Sequence, residues 1–240
     1  MPLPLLKPSP AQPAVIALVA LLAACGSGTE APDPVINVAK TATNSGDNQS
    51  WGTAHNLPLP LRVIVTERNG RPVEGVEVTW EVDTGNGYIA TLIPVTGPDG
   101  ISTARWGMSL TVGTIHARAT VADAEGSPVI FTATAIPNLP DQVRIAAGDH
   151  QSGQVNTALS EPLVLYVGDQ FDNPFPGQQI EWVITSGSGT LSTSLSVSSS
   201  AGLASTQLTL GATSGDVSIL ARFPGAQTGP RATFTATATP

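Results

Sequence analysis

Few side chains in this sequence are arranged to do chemistry. The three histidines, His55, His116 and His150, are scattered, and none lies within four residues of another His or of the single cysteine. A zinc centre needs three or four ligands at fixed spacing, and no such set is visible. Ser186-Gly-Ser-Gly189 lacks the Gly-x-Ser-x-Gly frame of a nucleophile elbow and reads as a turn, matched by Thr84-Gly-Asn-Gly87. Gly85-x-Gly87 has neither the third glycine nor the following helix of a phosphate loop. Carboxylates come nearest. Glu77, Glu81 and Asp83 share one face of an alternating segment. Alternate strand neighbours lie ~7 Å apart, a separation that glycosidase carboxylate pairs also use. No aromatic sugar platform accompanies them, so a solvated acidic face is the expectation. Asp169, Asp172 and Asn173 form an oxygen-rich turn before Pro174. Such oxygens could ligate Ca²⁺, but Asx residues starting a bend explain them more simply. The expectation is a protein with no catalytic residue, no metal and no cofactor.

The elements that must carry these residues follow from composition. The chain has 240 residues, with 18 Asp+Glu against 10 Lys+Arg and a net charge of −8. That balance argues against nucleic acid or anionic lipid headgroups as partners, since both select Lys/Arg clusters. One cysteine rules out an internal disulfide framework. Glycine and proline are frequent, at 24 and 21 residues, yet fall short of the roughly 25–30% that marks low-complexity chains. They are expected to be turn residues.

Ala14 to Ala24 is an unbroken apolar run of 11 residues. A membrane-spanning helix needs about 20, whereas an export signal has an apolar core of about 7–15. The run ends in Leu22-Ala-Ala-Cys25-Gly26, which resembles the lipobox of bacterial lipoproteins. That resemblance implies a signal peptide over 1–24, cleavage before Cys25, and a lipid attached to Cys25 as a membrane anchor. Gly26 stands where an Asp holds many lipoproteins at the inner membrane, so the resemblance favours the outer membrane. Each buried CH₂ of an acyl chain contributes about 0.8 kcal/mol, and more than one chain makes attachment stable. Residues 25–34 then form the anchor and a polar, Gly/Pro-rich tether. Extended, its nine residues after Cys25 reach about 30 Å at most.

The rest of the chain repeats. Shifted by 102 residues, 46–121 aligns with 148–223 without a gap, with 19 identities in 76 positions. A period of about 100 residues is the size of an independent domain. The expected division is 35–137 and 141–240, with 138–140 as a short stiff linker inside Pro137-Asn-Leu-Pro140. Within each copy apolar residues recur every second position. Val76, Val78, Trp80 and Val82 alternate with Glu77, Thr79, Glu81 and Asp83, and Ile180, Trp182 and Ile184 answer them. This is the period of half-buried strands. Turn residues punctuate them every 8–12 positions, as in a sandwich. The predicted fold is all-β: two tandem antiparallel sandwiches of about seven strands each, about fourteen in all.

Several repeated strings carry a family resemblance. Gly46-Asp-Asn-Gln-Ser50, Pro60-Leu-Arg-Val-Ile-Val65, Asn69-Gly-Arg-Pro-Val-Glu-Gly75, Val78-Thr-Trp80, Gly100 and Phe131-Thr-Ala-Thr-Ala135 resemble bacterial immunoglobulin-like domains of group one, the modules of invasin- and intimin-type proteins. The second copy matches with Gly148-Asp-His-Gln-Ser152, Pro162-Leu163, Asn173-Pro-Phe-Pro-Gly177 and Gly202-Leu-Ala-Ser-Thr206. The resemblance implies two immunoglobulin-like sandwiches. It rests on turn and core residues, so it implies no ligand.

Departures from the repeat point to contacts. Trp51 stands in place of Gly153 in what reads as a loop, and Phe171 in place of Asn69 at a turn tip. Exposed aromatics enrich interaction surfaces, so both are candidate partner contacts. Trp106 aligns with Leu208 and is expected in the core. The functional expectation is a non-enzymatic, lipid-anchored cell-envelope protein, acting as an adhesion or structural stalk. Its partners would be the membrane, through Cys25, and another protein or cell-surface component. The alternative is a subunit of an envelope complex that binds its partner through a sheet edge or loops.

Overall fold

The computed structural model describes residues 35–240, which form part of one compact unit. Cys25, the expected signal over 1–24 and the expected tether lie outside the described residues.

The described residues form eighteen strands. The first sandwich contains β1 (Ile36–Lys40), β2 (Gln49–Gly52), β3 (Leu61–Glu67), β4 (Thr79–Thr84), β5 (Tyr88–Ile93), β6 (Ile101–Gly107), β7 (Gly113–Thr120) and β8 (Val129–Ile136). Its two sheets have the orders β1-β3-β6-β5 and β2-β8-β7-β4. The second contains β9 (Gln142–Ala147), β10 (Gln151–Gln154), β11 (Leu163–Gly168), β12 (Gln179–Ser186), β13 (Gly189–Leu191), β14 (Leu195–Val197), β15 (Leu203–Thr206), β16 (Leu208–Leu210), β17 (Gly215–Arg222) and β18 (Arg231–Thr239). Here the orders are β10-β18-β17-β12-β14, β15-β11-β9 and β13-β16.

The alternation seen in sequence becomes burial. Leu61, Val63 and Val65 of β3 and Leu163, Leu165 and Val167 of β11 are fully buried. Each sandwich has its own core, and in each a tryptophan tilts against a phenylalanine with ring centroids 5.5 Å apart: Trp80 on Phe131 and Trp182 on Phe234. This packing fills the place that a disulfide takes in many immunoglobulin domains. The indole N–H groups stay satisfied, Trp80 donating to Ser102 Oγ at 2.9 Å and Trp182 to Ser196 Oγ at 2.8 Å. Trp106 is fully buried, as its alignment with Leu208 required.

The strand count exceeds fourteen for two reasons. The stretches around Trp51 and Ser152 are strands, not loops, and some second-sandwich strands are split. β2 and β10 also correct the antiparallel expectation, because they pair parallel to β8 and β18. The cause is local. The chain leaves β1, kinks, and crosses to the opposite sheet without reversing. Gly46 and Gly148 make the kink at φ +80° and +83°. A Cβ on either would stand 2.2 or 2.0 Å from the carbonyl oxygen of Pro60 or Pro162.

The repeated Gly-Asp-x-Gln string holds this crossing. Asp47 Oδ1 accepts the N–H of Thr132 at 2.8 Å, and Asp149 Oδ1 accepts that of Thr235 at 2.8 Å. Gln49 donates to the carbonyls of Gly46 and Leu59 and accepts the N–H of Leu59. Gln151 repeats all three bonds with Gly148 and Glu161.

Candidate functional site: the joint between the sandwiches

Side chains converge where the second sandwich meets the first. Asp169 follows β11 directly and is fully buried. Oδ1 accepts the N–H groups of Phe171 at 2.9 Å and Asn173 at 3.0 Å. Oδ2 accepts the Asn138 N–H at 3.0 Å and the Thr53 hydroxyl at 3.2 Å. Asn173 Nδ2 reaches both oxygens. Thr53 belongs to the first sandwich and Asn138 to the connecting segment, so one carboxylate ties three parts of the chain.

Asn173 makes the return connection. Its side-chain oxygen accepts the Val112 N–H at 3.1 Å, and its nitrogen donates to the Leu110 carbonyl at 2.8 Å. Both partners lie in the β6–β7 loop of the first sandwich. Asn138 adds a bond from its side chain to the Thr53 carbonyl at 3.0 Å. Thr53, Asp169 and Asn173 are all buried.

A buried carboxylate is costly unless its lone pairs are met. Burial pushes the Asp169 carboxyl up. The Asn138 N–H, the Asn173 side chain and N–H, and the Phe171 N–H outweigh that push and hold it below the usual aspartate value. The anion is therefore the form the joint is built around. Hydrogen bonds to charged groups contribute about 1.5–3 kcal/mol each.

The second sandwich braces the same turn from behind. Tyr166 OH donates to the Asp172 carbonyl at 2.8 Å. Arg144 pairs with the Asp172 carboxylate and stacks 3.8 Å from the centre of the Tyr166 ring. The oxygen-rich turn is thus committed to N–H donors and an arginine. Among the described residues no group of three or more His, Cys, Asp or Glu is placed to hold a metal ion.

Beside the lock runs an open groove of about 370 Å³, lined by Trp51, His55, Ile136, Asn138, Leu139 and Phe175, among others. Trp51 is 45% exposed and Leu139 is 83% exposed. His55 Nδ1 donates to the Thr53 carbonyl at 2.8 Å, which ties the groove wall to the lock. Trp51 sits on an edge strand rather than in a loop. Phe171 is half-buried in the Asp169 turn and does not line this groove. The structure does not bring the two aromatics together there.

The other candidates are ordinary surface. Arg118 bridges Glu81 and Asp83, and Arg222 pairs with Glu181, so those carboxylates are engaged in surface ion pairs. His116 accepts a contact from the Thr132 hydroxyl, and His150 lies beside Asp149.

Sequence reasoning missed Thr53, Asn138, Asp169 and Asn173 as a set. A signal was present: Asp169 and Asn173 align with Glu67 and Arg71, and Thr53 aligns with Val155. Polar departures from the repeat marked the joint, just as the aromatic ones marked the groove.

A solved bacterial adhesin is similar in fold to this chain. FdeC, described as a broadly conserved Escherichia coli adhesin, matches with a TM-score of 0.50 at 13% identity over 84% of this chain. The fold is immunoglobulin-like. The immunoglobulin-like chain spans 63% of the FdeC chain that was solved. Yersinia pseudotuberculosis InvD matches at 0.47 and 16% identity, over 86% of this chain and 57% of that one. The D00-D0 domain of intimin matches at 0.42 and 15%, over 86% of this chain and 100% of that one. No protein-family model and no curated protein matches the sequence. At such identities likeness carries the fold and no activity.

Proposed function

We propose that this chain is a non-enzymatic spacer of the bacterial cell envelope, anchored by lipid at Cys25, that holds a binding surface at a fixed distance and angle from the membrane. The observation that carries this reading is the Asp169 lock. A loose tandem would need no buried carboxylate at its joint. A spacer that transmits position needs its two rigid bodies fixed to each other, and the Asp169–Asn173 turn does that with bonds to Thr53, Asn138, Leu110 and Val112. The Leu22–Cys25 lipobox supplies the anchor in this reading, and Gly26 favours the outer membrane. The adhesin description of FdeC supports an adhesive role for the spacer.

Trp51 is the favoured partner contact, because it borders the groove beside the lock with nearly half its surface open. Phe171 is a second contact, acting through the turn that it shares with Asp169. The partner in this reading is a protein or cell-surface component.

Labelled palmitate tests the anchor. Wild type should incorporate label and fractionate with the outer membrane, and Cys25→Ala should do neither. A wild-type chain recovered unlabelled from the soluble fraction would overturn the reading. Trp51→Ala should abolish recovery of the partner by cross-linking on intact cells while leaving the melting temperature nearly unchanged.

A further inference from the structure

The outer face of the sheet β1-β3-β6-β5 carries a row of side chains that neither core uses. Leu61 and Val63 of β3 point inward, so Arg62 points out. Ala104 and Trp106 point inward on β6, which leaves Arg105 and Gly107 outside. In the strand register Arg62 stands opposite Thr103, Arg105 opposite Ala90 and Gly107 opposite Tyr88. Arg62, Arg105 and Tyr88 therefore lie on one diagonal across neighbouring strands, in steps of about 7–8 Å.

All three are available. Lys40, Arg71, Arg118, Arg144 and Arg222 are ion-paired, whereas Arg62 and Arg105 join no ion pair among the described residues. Arg62 is half-buried, and its Nε meets no acceptor. A buried donor without an acceptor is a cost that a ligand oxygen would remove. Tyr88 is 56% exposed. Its ring is laid over Gly107, where an added Cβ would stand 2.1 Å from a ring carbon, and its hydroxyl donates to Asn56 Oδ1 at 2.7 Å. In the second sandwich the aligned positions hold Val164, Gln207 and Thr190, with Thr209 in place of Gly107. The row is thus a departure from the repeat, and the glycine changes together with the tyrosine it seats.

The chemistry of the row selects its occupant. Guanidinium forks without a carboxylate beside them take carboxylate or sulfate oxygens. The negative face of an aromatic ring attracts the C–H groups of a sugar. A peptide finds no strand edge here, because β3 and β6 are interior strands whose backbone groups are committed to the ladder. Single-stranded nucleic acid needs a continuous basic groove, which a short row in a chain of net charge −8 does not supply.

We propose that Arg62, Arg105 and Tyr88 form a binding site for an acidic oligosaccharide, with acid groups on the two guanidinium groups and a sugar ring on Tyr88. This goes beyond the spacer reading. It uses neither Cys25 nor Trp51, so the site and the anchor can each fail alone.

The test titrates the full chain carrying Cys25→Ala with oligogalacturonate and with chondroitin sulfate oligosaccharides, followed by calorimetry and amide chemical shifts. Methyl-esterified oligogalacturonate, oligoglutamate and oligothymidylate are the comparisons. The expected result is saturable binding of an acidic saccharide, weakened by salt, with shifts centred on β5 and β6. Esterification should weaken it about tenfold, as should Arg105→Gln, Arg62→Gln and Tyr88→Ala. Arg105 and Tyr88 are exposed, so their variants keep the test alive should Arg62→Gln misfold. Arg68→Gln, an exposed arginine off the row, should bind like wild type. Binding of neither saccharide at millimolar concentration overturns the proposal. So does equally tight binding of oligoglutamate or oligothymidylate, or saccharide binding that survives both Arg105→Gln and Tyr88→Ala.

Discussion

Asn173 and Asp169 grip one another across a single turn. The Asn173 amide nitrogen stands 3.1 and 3.0 Å from the two Asp169 oxygens, while its own oxygen takes the Val112 N–H of the first sandwich. This residue pair ties the turn after β11 to the β6–β7 loop of the first sandwich. Asp169→Ala leaves the Thr53 hydroxyl, the Asn138 N–H and the Asn173 amide without their acceptor. Each buried donor left unsatisfied costs about 1–3 kcal/mol. Denaturant titration should show that loss, and residual dipolar couplings should show the sandwiches reorienting independently. Unchanged couplings would mean that backbone contacts alone set the angle.

Asp47 and Asp169 titrate below the usual aspartate value in the folded protein. For Asp47, burial raises the value, and the Lys40 and Thr132 hydrogen bonds more than offset it. The unfolded chain therefore binds protons more readily than the folded one. The stability these groups add is complete above the unfolded value of about 3.9. It is lost as pH falls through the folded values. Melting temperatures measured down to pH 3 should fall steeply below about pH 4, and less steeply in Asp169→Asn. Parallel slopes would remove Asp169 from this linkage.

The kink glycines Gly46 and Gly148 can be compared with Gly177 as a control. Gly148→Ala meets both a left-handed φ and a carbonyl oxygen 2.0 Å from the new Cβ, whereas Gly177→Ala meets φ +80° with nothing within 4 Å. The conformational penalty alone is about 1–2 kcal/mol. Gly177→Ala should lose that much in a urea melt, and Gly148→Ala should lose clearly more, as should Gly46→Ala. Equal losses would show that the close approach to the proline carbonyl is relieved by small shifts.

Calcium should do nothing to the Asp169 turn. Its carboxylate already accepts N–H donors on both oxygens, and Asp172 is paired with Arg144. The melting temperature should be the same in excess calcium and in chelator, and a rise with calcium would show that the turn exchanges its donors for a cation.

The sequence by itself determined what depends on neighbours a few residues away. Period-two alternation placed Trp80, Trp182 and the valines and leucines of β3 and β11 in cores, because successive strand side chains face opposite ways. Glycines marked the kinks because only they tolerate φ near +80° there. The 102-residue repeat is a property of the sequence itself. Tertiary structure alone decided the rest. Thr53 meets Asp169 across 116 residues, and Val112 meets Asn173 across 61. No short-range pattern encodes such pairs, so Asp169 read as an ordinary bend and became a buried lock only when a second sandwich closed over it.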